Sequence, residues 1–116
     1  MEQFKNNTSL DKRQCESARM CTKHPERVPV IVCKYKGDIG IPEIDKQKYL
    51  VPKEMTIGQF IYVIRKRIKL EPDQALFVLV NNSLQPTIKL MDDIYTSGKD
   101  EDGFLYVIYS SENTFG

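Results

Sequence analysis

The sequence carries one histidine and three cysteines in 116 residues, and that scarcity closes off several chemistries. Cys15, Cys21 and Cys33 are odd in number and irregular in spacing, which does not describe a disulfide framework. No Cys-x-x-Cys pair is present to hold zinc. His24 precedes Pro25 in a turn-like segment and reads as a surface histidine. A cysteine–histidine catalytic pair would need one thiol to meet His24 in a cleft with a third, orienting group. The cysteines therefore read as packing or surface thiols. No enzyme activity, metal or other cofactor is expected. No apolar run approaches membrane-spanning length, and the first seven residues hold no secretory hydrophobic stretch. A cytoplasmic location follows as the expectation, with any membrane attachment supplied by a modification or a partner. Basic residues are not interleaved with a nucleic-acid-binding motif, so nucleic acid is not an expected partner.

What is present is ordinary for one compact domain: 41% hydrophobic and 28% charged residues. The net charge of +1 hides a split. Residues 1–70 hold 15 Lys/Arg against 8 Asp/Glu, giving 15 − 8 = +7, and residues 71–116 hold 2 against 8, giving 2 − 8 = −6. A basic and an acidic face follow from this, suited to acidic peptides, anionic lipid or tubulin-like tails, or simply to solvation.

Residues 45–67, DKQKYLVPKEMTIGQFIYVIRKR, read as a strand, a turn and an amphipathic helix. In the strand, Lys48, Leu50 and Pro52 share one face and Tyr49 and Val51 the other. Pro52 cannot donate to a ladder, and lysines surround it, which marks an edge strand able to pair with an extended peptide. Thr56 and Gln59 fit a capping box, and Ile57, Phe60, Ile61, Ile64 and Ile68 form the buried stripe of a helix ending near Leu70. Phe60 and Val63 lie toward its margin, near the strand.

Around this unit the chain reads simply. Residues 1–8 are a frayed arm or a short helix docking by Phe4. Residues 9–23 form a helix capped by Ser9 or Asp11, with an apolar face too thin for the core. Residues 28–35 are a strand with Val28, Val30 and Val32 on one face and Pro29 and Ile31 on the other. That second apolar face needs either a covering element or a binding partner. Residues 75–80 and 104–109 are buried strands, Asn81-Asn82 a turn, 83–88 a loop or short extended piece, and 90–95 a short helix ended by Ser97-Gly98. The order is helix, two strands, helix, strand, short helix, strand. It predicts an α+β fold: a β-grasp, ubiquitin-like, mixed four-stranded sheet with an N-terminal helical extension. The expected division is 1–27 for the extension, 28–109 for the core and 110–116 for a flexible C-terminal tail.

On the segments HPERVPVIV, DKQKYLVPKEMTIGQFIYVIRKRI, ALFVLVNN and DGFLYVIYSSENTFG, the chain resembles the autophagy-related ubiquitin-like modifier family, and most the branch named after the GABA-A-receptor-associated protein. The resemblance covers residues 9–116; the first eight match poorly, and the 34–44 loop is one residue longer, offsetting a one-residue deficit upstream. It implies two adjacent pockets for a short motif bearing an aromatic residue and, three positions later, an aliphatic one. By position, Glu16, Met20, Pro29, Ile31, Lys48, Leu50 and Phe104 would form the aromatic pocket. Tyr49, Val51, Pro52, Met55, Phe60 and Val63 would form the aliphatic one. Arg27, Lys46, Arg65 and Arg67 would meet acidic residues flanking the motif. Met20 and Met55 stand where branched aliphatic residues are common in the family, which would broaden motif tolerance.

The resemblance further implies that Gly116 is conjugated to the amine of phosphatidylethanolamine. Activating and conjugating enzymes, a processing or deconjugating cysteine protease, and motif-bearing cargo receptors and adaptors would be the partners. The lipidated protein would sit on autophagosome membranes. The rival readings are an unconjugated trafficking or microtubule adaptor using the same pockets, and a thiol enzyme.

Overall fold

The computed structural model describes residues 2–111. In chain order it forms α1 (Glu2–Asn7), α2 (Leu10–Lys23), β1 (Arg27–Lys34), β2 (Lys48–Pro52), α3 (Ile57–Arg67), β3 (Phe77–Val80), β4 (Ser83–Leu84), α4 (Met91–Gly98) and β5 (Leu105–Ser110). The strands lie in the order β2-β1-β5-β3-β4. The central pair, β1 and β5, is parallel, and every other pair is antiparallel. The fold is therefore α+β and ubiquitin-like, as expected.

The strand count needs correction: the described residues form five strands rather than four. Asn81 and Asn82 both have positive φ, 52° and 62°. Two successive left-handed residues make the tight turn whose twist matches a hairpin. The chain therefore reverses at once, and Ser83 and Leu84 pair with Val80 and Leu79. Two exposed residues are too few to display an alternation that a sequence reading could detect.

Alternation along β1 and β5 assigns their side chains to two cores. Val28, Val30, Val32, Leu105, Val107 and Tyr109 face α3, where Ile57, Phe60, Ile64 and Ile68 complete the main core. Each fully buried aliphatic side chain there contributes about 1.5–3 kcal/mol. The α3 start is held by a complete capping box: the Gln59 amide donates to Thr56 Oγ1 at 3.1 Å, and the Thr56 amide to Gln59 Oε1 at 2.9 Å. The helix stops at Arg67, short of Leu70, and Lys69 then takes φ 56°. At the other helix, α4 runs on to Gly98 rather than ending before Ser97.

The opposite sheet face carries Ile31, Cys33, Phe104 and Tyr106, joined by Phe4, Met20 and Ile108. α1 and α2 cover it. Ser9 is the cap of α2, accepting from the Lys12 amide at 3.3 Å, and Asp11 falls in the first turn. α2 docks chiefly through polar side chains, since Arg13 and Ser17 are its buried residues.

Candidate functional site

β2 stands first in the strand order, so its outer edge carries no strand among the described residues. Its pairing to β1 runs from Arg27↔Pro52 to Ile31↔Lys48. The two candidate pockets lie on opposite sides of this edge.

On the α3 side, Tyr49 and Val51 pack on the main core with Met55, Phe60 and Val63. Phe60 and Val51 are buried and form the floor, whereas Tyr49, Met55 and Val63 are half-buried and Pro52 is exposed at the rim. The Tyr49 and Phe60 rings meet edge to face, with centroids 5.7 Å apart. Lys46 Nζ lies 5.1 Å from the Tyr49 ring centre. The Tyr49 hydroxyl is buried without a hydrogen-bond partner among the described residues. Burial pushes its pKa up, with Arg67 opposing and Asp45 adding to the shift. An unsatisfied buried hydroxyl costs about 1–3 kcal/mol. Tyr49→Phe should therefore leave thermal stability unchanged or raise it by up to about 1 kcal/mol. A loss larger than that on thermal denaturation would show that a bound water satisfies the hydroxyl.

On the α2 side, Pro29, Ile31 and Phe104 are buried, Glu16, Met20 and Leu50 half-buried, and Lys48 exposed. The sequence leaves a covering element and a binding partner both open for the face of Pro29 and Ile31. The structure makes them a covered floor, with Ile31 at 0% exposure, because α1 and α2 lie across that face. Lys48 Nζ donates to Glu16 Oε2 at 2.7 Å, bridging β2 to α2. Phe4 of α1 packs edge to face on Phe104 at 5.7 Å and lies 6.4 Å from Tyr106. Lys48 Nζ sits 5.3 Å from the Phe4 ring centre. One side chain of the protein's own N-terminal helix thus lies against the residues that would receive a guest aromatic ring.

The basic residues assigned to acidic flanks already have partners. Arg67 Nε donates to Asp45 Oδ1 at 2.8 Å, an exposed pair that lowers the Asp45 pKa. Arg65 Nη2 donates to the Glu71 and Pro72 carbonyls at 3.1 and 3.4 Å, closing the α3 end. Arg27 Nη1 reaches the Leu50 carbonyl at 3.5 Å. Of these residues, Arg27 and Lys46 lie against β2 itself.

Behind the aromatic side sits a polar hub that the sequence did not disclose. Asp102, with 0% exposure, accepts from Arg13 Nε at 2.9 Å, from Tyr106 Oη at 2.5 Å and from the Phe104 amide at 2.8 Å. Arg13 Nη1 also donates to the Lys5 and Thr8 carbonyls at 3.1 and 2.6 Å. The hub therefore ties α1, α2 and the start of β5 into one support for Phe104. Burial and the Asp102 carboxylate together push the Tyr106 pKa up. Gly103 has φ 86°, and an added Cβ would collide with Ser17, so the turn at the hub requires glycine.

The predicted conjugation site, Gly116, lies outside the described residues. The thiols are dispersed: Cys15 exposed on α2, Cys21 half-buried beside Tyr95, and Cys33 buried on the sheet. No helix among the described residues is long and apolar enough to cross a membrane.

Fold and site together define a ubiquitin-like domain with two N-terminal helices laid across one face of its sheet. The comparisons give that class a family. The model of the family described as "Autophagy protein Atg8 ubiquitin like" matches residues 12–116. Autophagy-related protein 8A of Oryza sativa subsp. indica is 58% identical over 113 residues, covering 97% of this chain and 94% of the relative. Autophagy-related protein 8 of Candida albicans is 57% identical over 114 residues, covering 98% and 84%. The crystal structure of Trypanosoma brucei ATG8 superposes with a TM-score of 0.89 at 45% identity, covering 97% of each chain. The chain belongs to the Atg8 family of autophagy-related ubiquitin-like proteins.

Proposed function

We propose that this protein is a modifier rather than an enzyme: Gly116 is conjugated to phosphatidylethanolamine, and the membrane-held protein recruits cargo receptors and adaptors through the β2 edge. One observation supports the recruitment most directly. The two candidate pockets flank β2, whose outer edge carries no strand among the described residues, from opposite faces of the sheet. Residues three apart on an extended strand point to opposite faces. A peptide paired to β2 would therefore send its aromatic side chain toward Leu50 and Phe104 and its aliphatic one toward Val63 and Met55. Main-chain hydrogen bonds would set the register, and burial in the two sites would supply selectivity. Exposed pairs to Arg27 or Lys46 would add only about 0–1 kcal/mol each.

The proposed covalent step uses the Gly116 carboxylate. ATP activates the Gly116 carboxylate as an acyl adenylate with release of pyrophosphate. An activating-enzyme thiol displaces AMP to give a thioester, and a conjugating-enzyme thiol takes over the acyl group. The lipid amine then attacks the carbonyl, forming an amide and releasing the thiol. Glycine leaves that carbonyl unhindered by a side chain. The lipid brings two acyl chains, enough for stable anchoring where the described residues offer no membrane span.

Two measurements test the reading. Incubation with activating and conjugating enzymes, ATP and phosphatidylethanolamine liposomes should raise the intact mass by one lipid less one water, and Gly116→Ala should abolish the adduct. Absence of an adduct with enzymes active on a control modifier would leave only an unconjugated adaptor. Titration with an aromatic-x-x-aliphatic peptide should perturb NMR signals of β2 and of both flanking faces. Perturbation confined to one face would rule out the edge-strand mode.

A further inference from the structure

The 35–40 loop grips the end of the last strand, a feature that neither pocket uses. Tyr35 donates its amide to the Tyr109 carbonyl at 2.7 Å, and the Asp38 amide returns to the Tyr35 carbonyl at 3.1 Å. Gly37 takes φ 86° in the third position of that turn, where glycine carries no steric penalty. The turn presents the Asp38 carboxylate to the chain leaving β5. Asp38 Oδ2 accepts from the Ser111 amide at 2.7 Å and from Ser110 Oγ at 3.1 Å, and Ser111 Oγ donates to the same carboxylate at 2.9 Å. The Gly40 amide, at 2.9 Å from Oδ1, fixes the carboxylate in turn. Beneath the loop, Tyr109 Oη donates to the Pro42 carbonyl at 2.8 Å.

These contacts bind the chain at a particular place. Ser111 stands 116 − 111 = 5 residues before Gly116. An extended chain spans at most about 3.3–3.6 Å per residue, so five residues reach about 17 Å. Releasing Ser110 and Ser111 would move the last fixed point back to Tyr109, from which seven residues span at most about 24 Å. A longer tether dilutes its end over a larger volume and adds an ordering cost when an enzyme channel captures it.

We propose that Asp38 is a positioning residue for the chemistry at Gly116, fixing through Ser110 and Ser111 the point and direction from which the terminal glycine is offered to its enzymes. This rests on the conjugation reading above. The Ser111 amide hydrogen bond is the chief cause that keeps the Asp38 carboxyl below its usual pKa, in agreement with a carboxylate held ionised by the groups it grips. The reactive end belongs to the partner enzyme's channel, so Asp38 acts on capture and not on bond making.

Amide hydrogen exchange and thioester formation, measured on the full chain, test this together. In Asp38→Ala the Ser111 amide should exchange at least tenfold faster, while the Val30 and Val107 amides in the sheet keep their protection. In single-turnover thioester formation with the activating enzyme, Asp38→Ala should raise the apparent KM by about threefold to tenfold and leave the maximal rate within twofold. Asp38→Asn retains a carbonyl oxygen for the Ser111 amide and should recover at least half of the wild-type KM effect; it also serves where Asp38→Ala folds poorly. Unchanged Ser111 exchange in Asp38→Ala overturns the clamp. Faster exchange with unchanged KM overturns its role in positioning. If the wild-type chain forms no thioester with an enzyme active on a control modifier, the conjugation reading falls and this inference with it, whereas a normal wild type beside a normal Asp38→Ala sinks the inference alone.

Discussion

Asp102→Ala should destabilise the protein by about 3–5 kcal/mol, because it removes one partner of a buried ion pair. Arg13 is 6% exposed and would be left charged, buried and without its carboxylate. The Tyr106 hydroxyl and the Phe104 amide would each lose an acceptor in the same change. Denaturant unfolding followed by circular dichroism measures the effect, since the chain has no tryptophan to report fluorescence. Replacing both charges, with Arg13→Met and Asp102→Leu, should recover part of the loss. Recovery would stay incomplete because the Lys5 and Thr8 carbonyls and the Phe104 amide also depend on the hub. A loss below about 1 kcal/mol for Asp102→Ala would mean that water enters and hydrates Arg13, and the hub would then not be the element that seats α2.

That hub marks where sequence reading runs out. α3 was legible because its signals are local: a capping box followed by apolar residues at helical spacing, all within residues 56–68. The edge character of β2 was legible from Pro52 and its lysines, and the opposite facing of Leu50 and Val51 from simple alternation. α2 was readable as a helix, but its manner of docking was not. It buries Arg13 and Ser17, and their partners lie 89 and 85 residues away. A buried arginine and a solvated one look alike in a sequence. For the same reason Pro29 and Ile31 could be assigned to an apolar second face, with cover and binding surface both open, yet the covering helices could not be placed. Asp38 gave no signal, because its partners Ser110 and Ser111 are small polar residues 72 and 73 positions away. The assignment of residues to two pockets rested on the family resemblance; periodicity alone separates faces but cannot say which one receives a guest.

Phe4→Ala should tighten the binding of an aromatic-x-x-aliphatic peptide by about fivefold to tenfold. Phe4 packs on Phe104 and under Lys48, in contact with the floor that a guest aromatic ring would need. A protein whose receptive state is only fractionally populated binds with an affinity reduced by that fraction. An edge-to-face aromatic contact is worth about 0.5–1.5 kcal/mol beyond area burial, and about 1.4 kcal/mol corresponds to a factor of ten. Displacing the ring does not require α1 to leave, because Lys5 stays tied to Asp100 at 2.8 Å and Arg13 still holds the Lys5 carbonyl. The same substitution removes packing from Tyr106 and Phe104, so unfolding stability should fall slightly while affinity rises. Isothermal titration of one peptide into wild type and Phe4→Ala reads the affinity; Phe4→Trp, which enlarges the occupant, should shift it the other way. An unchanged or weaker Kd in Phe4→Ala would mean that Phe4 lines the bound peptide, making α1 part of the groove and not its competitor.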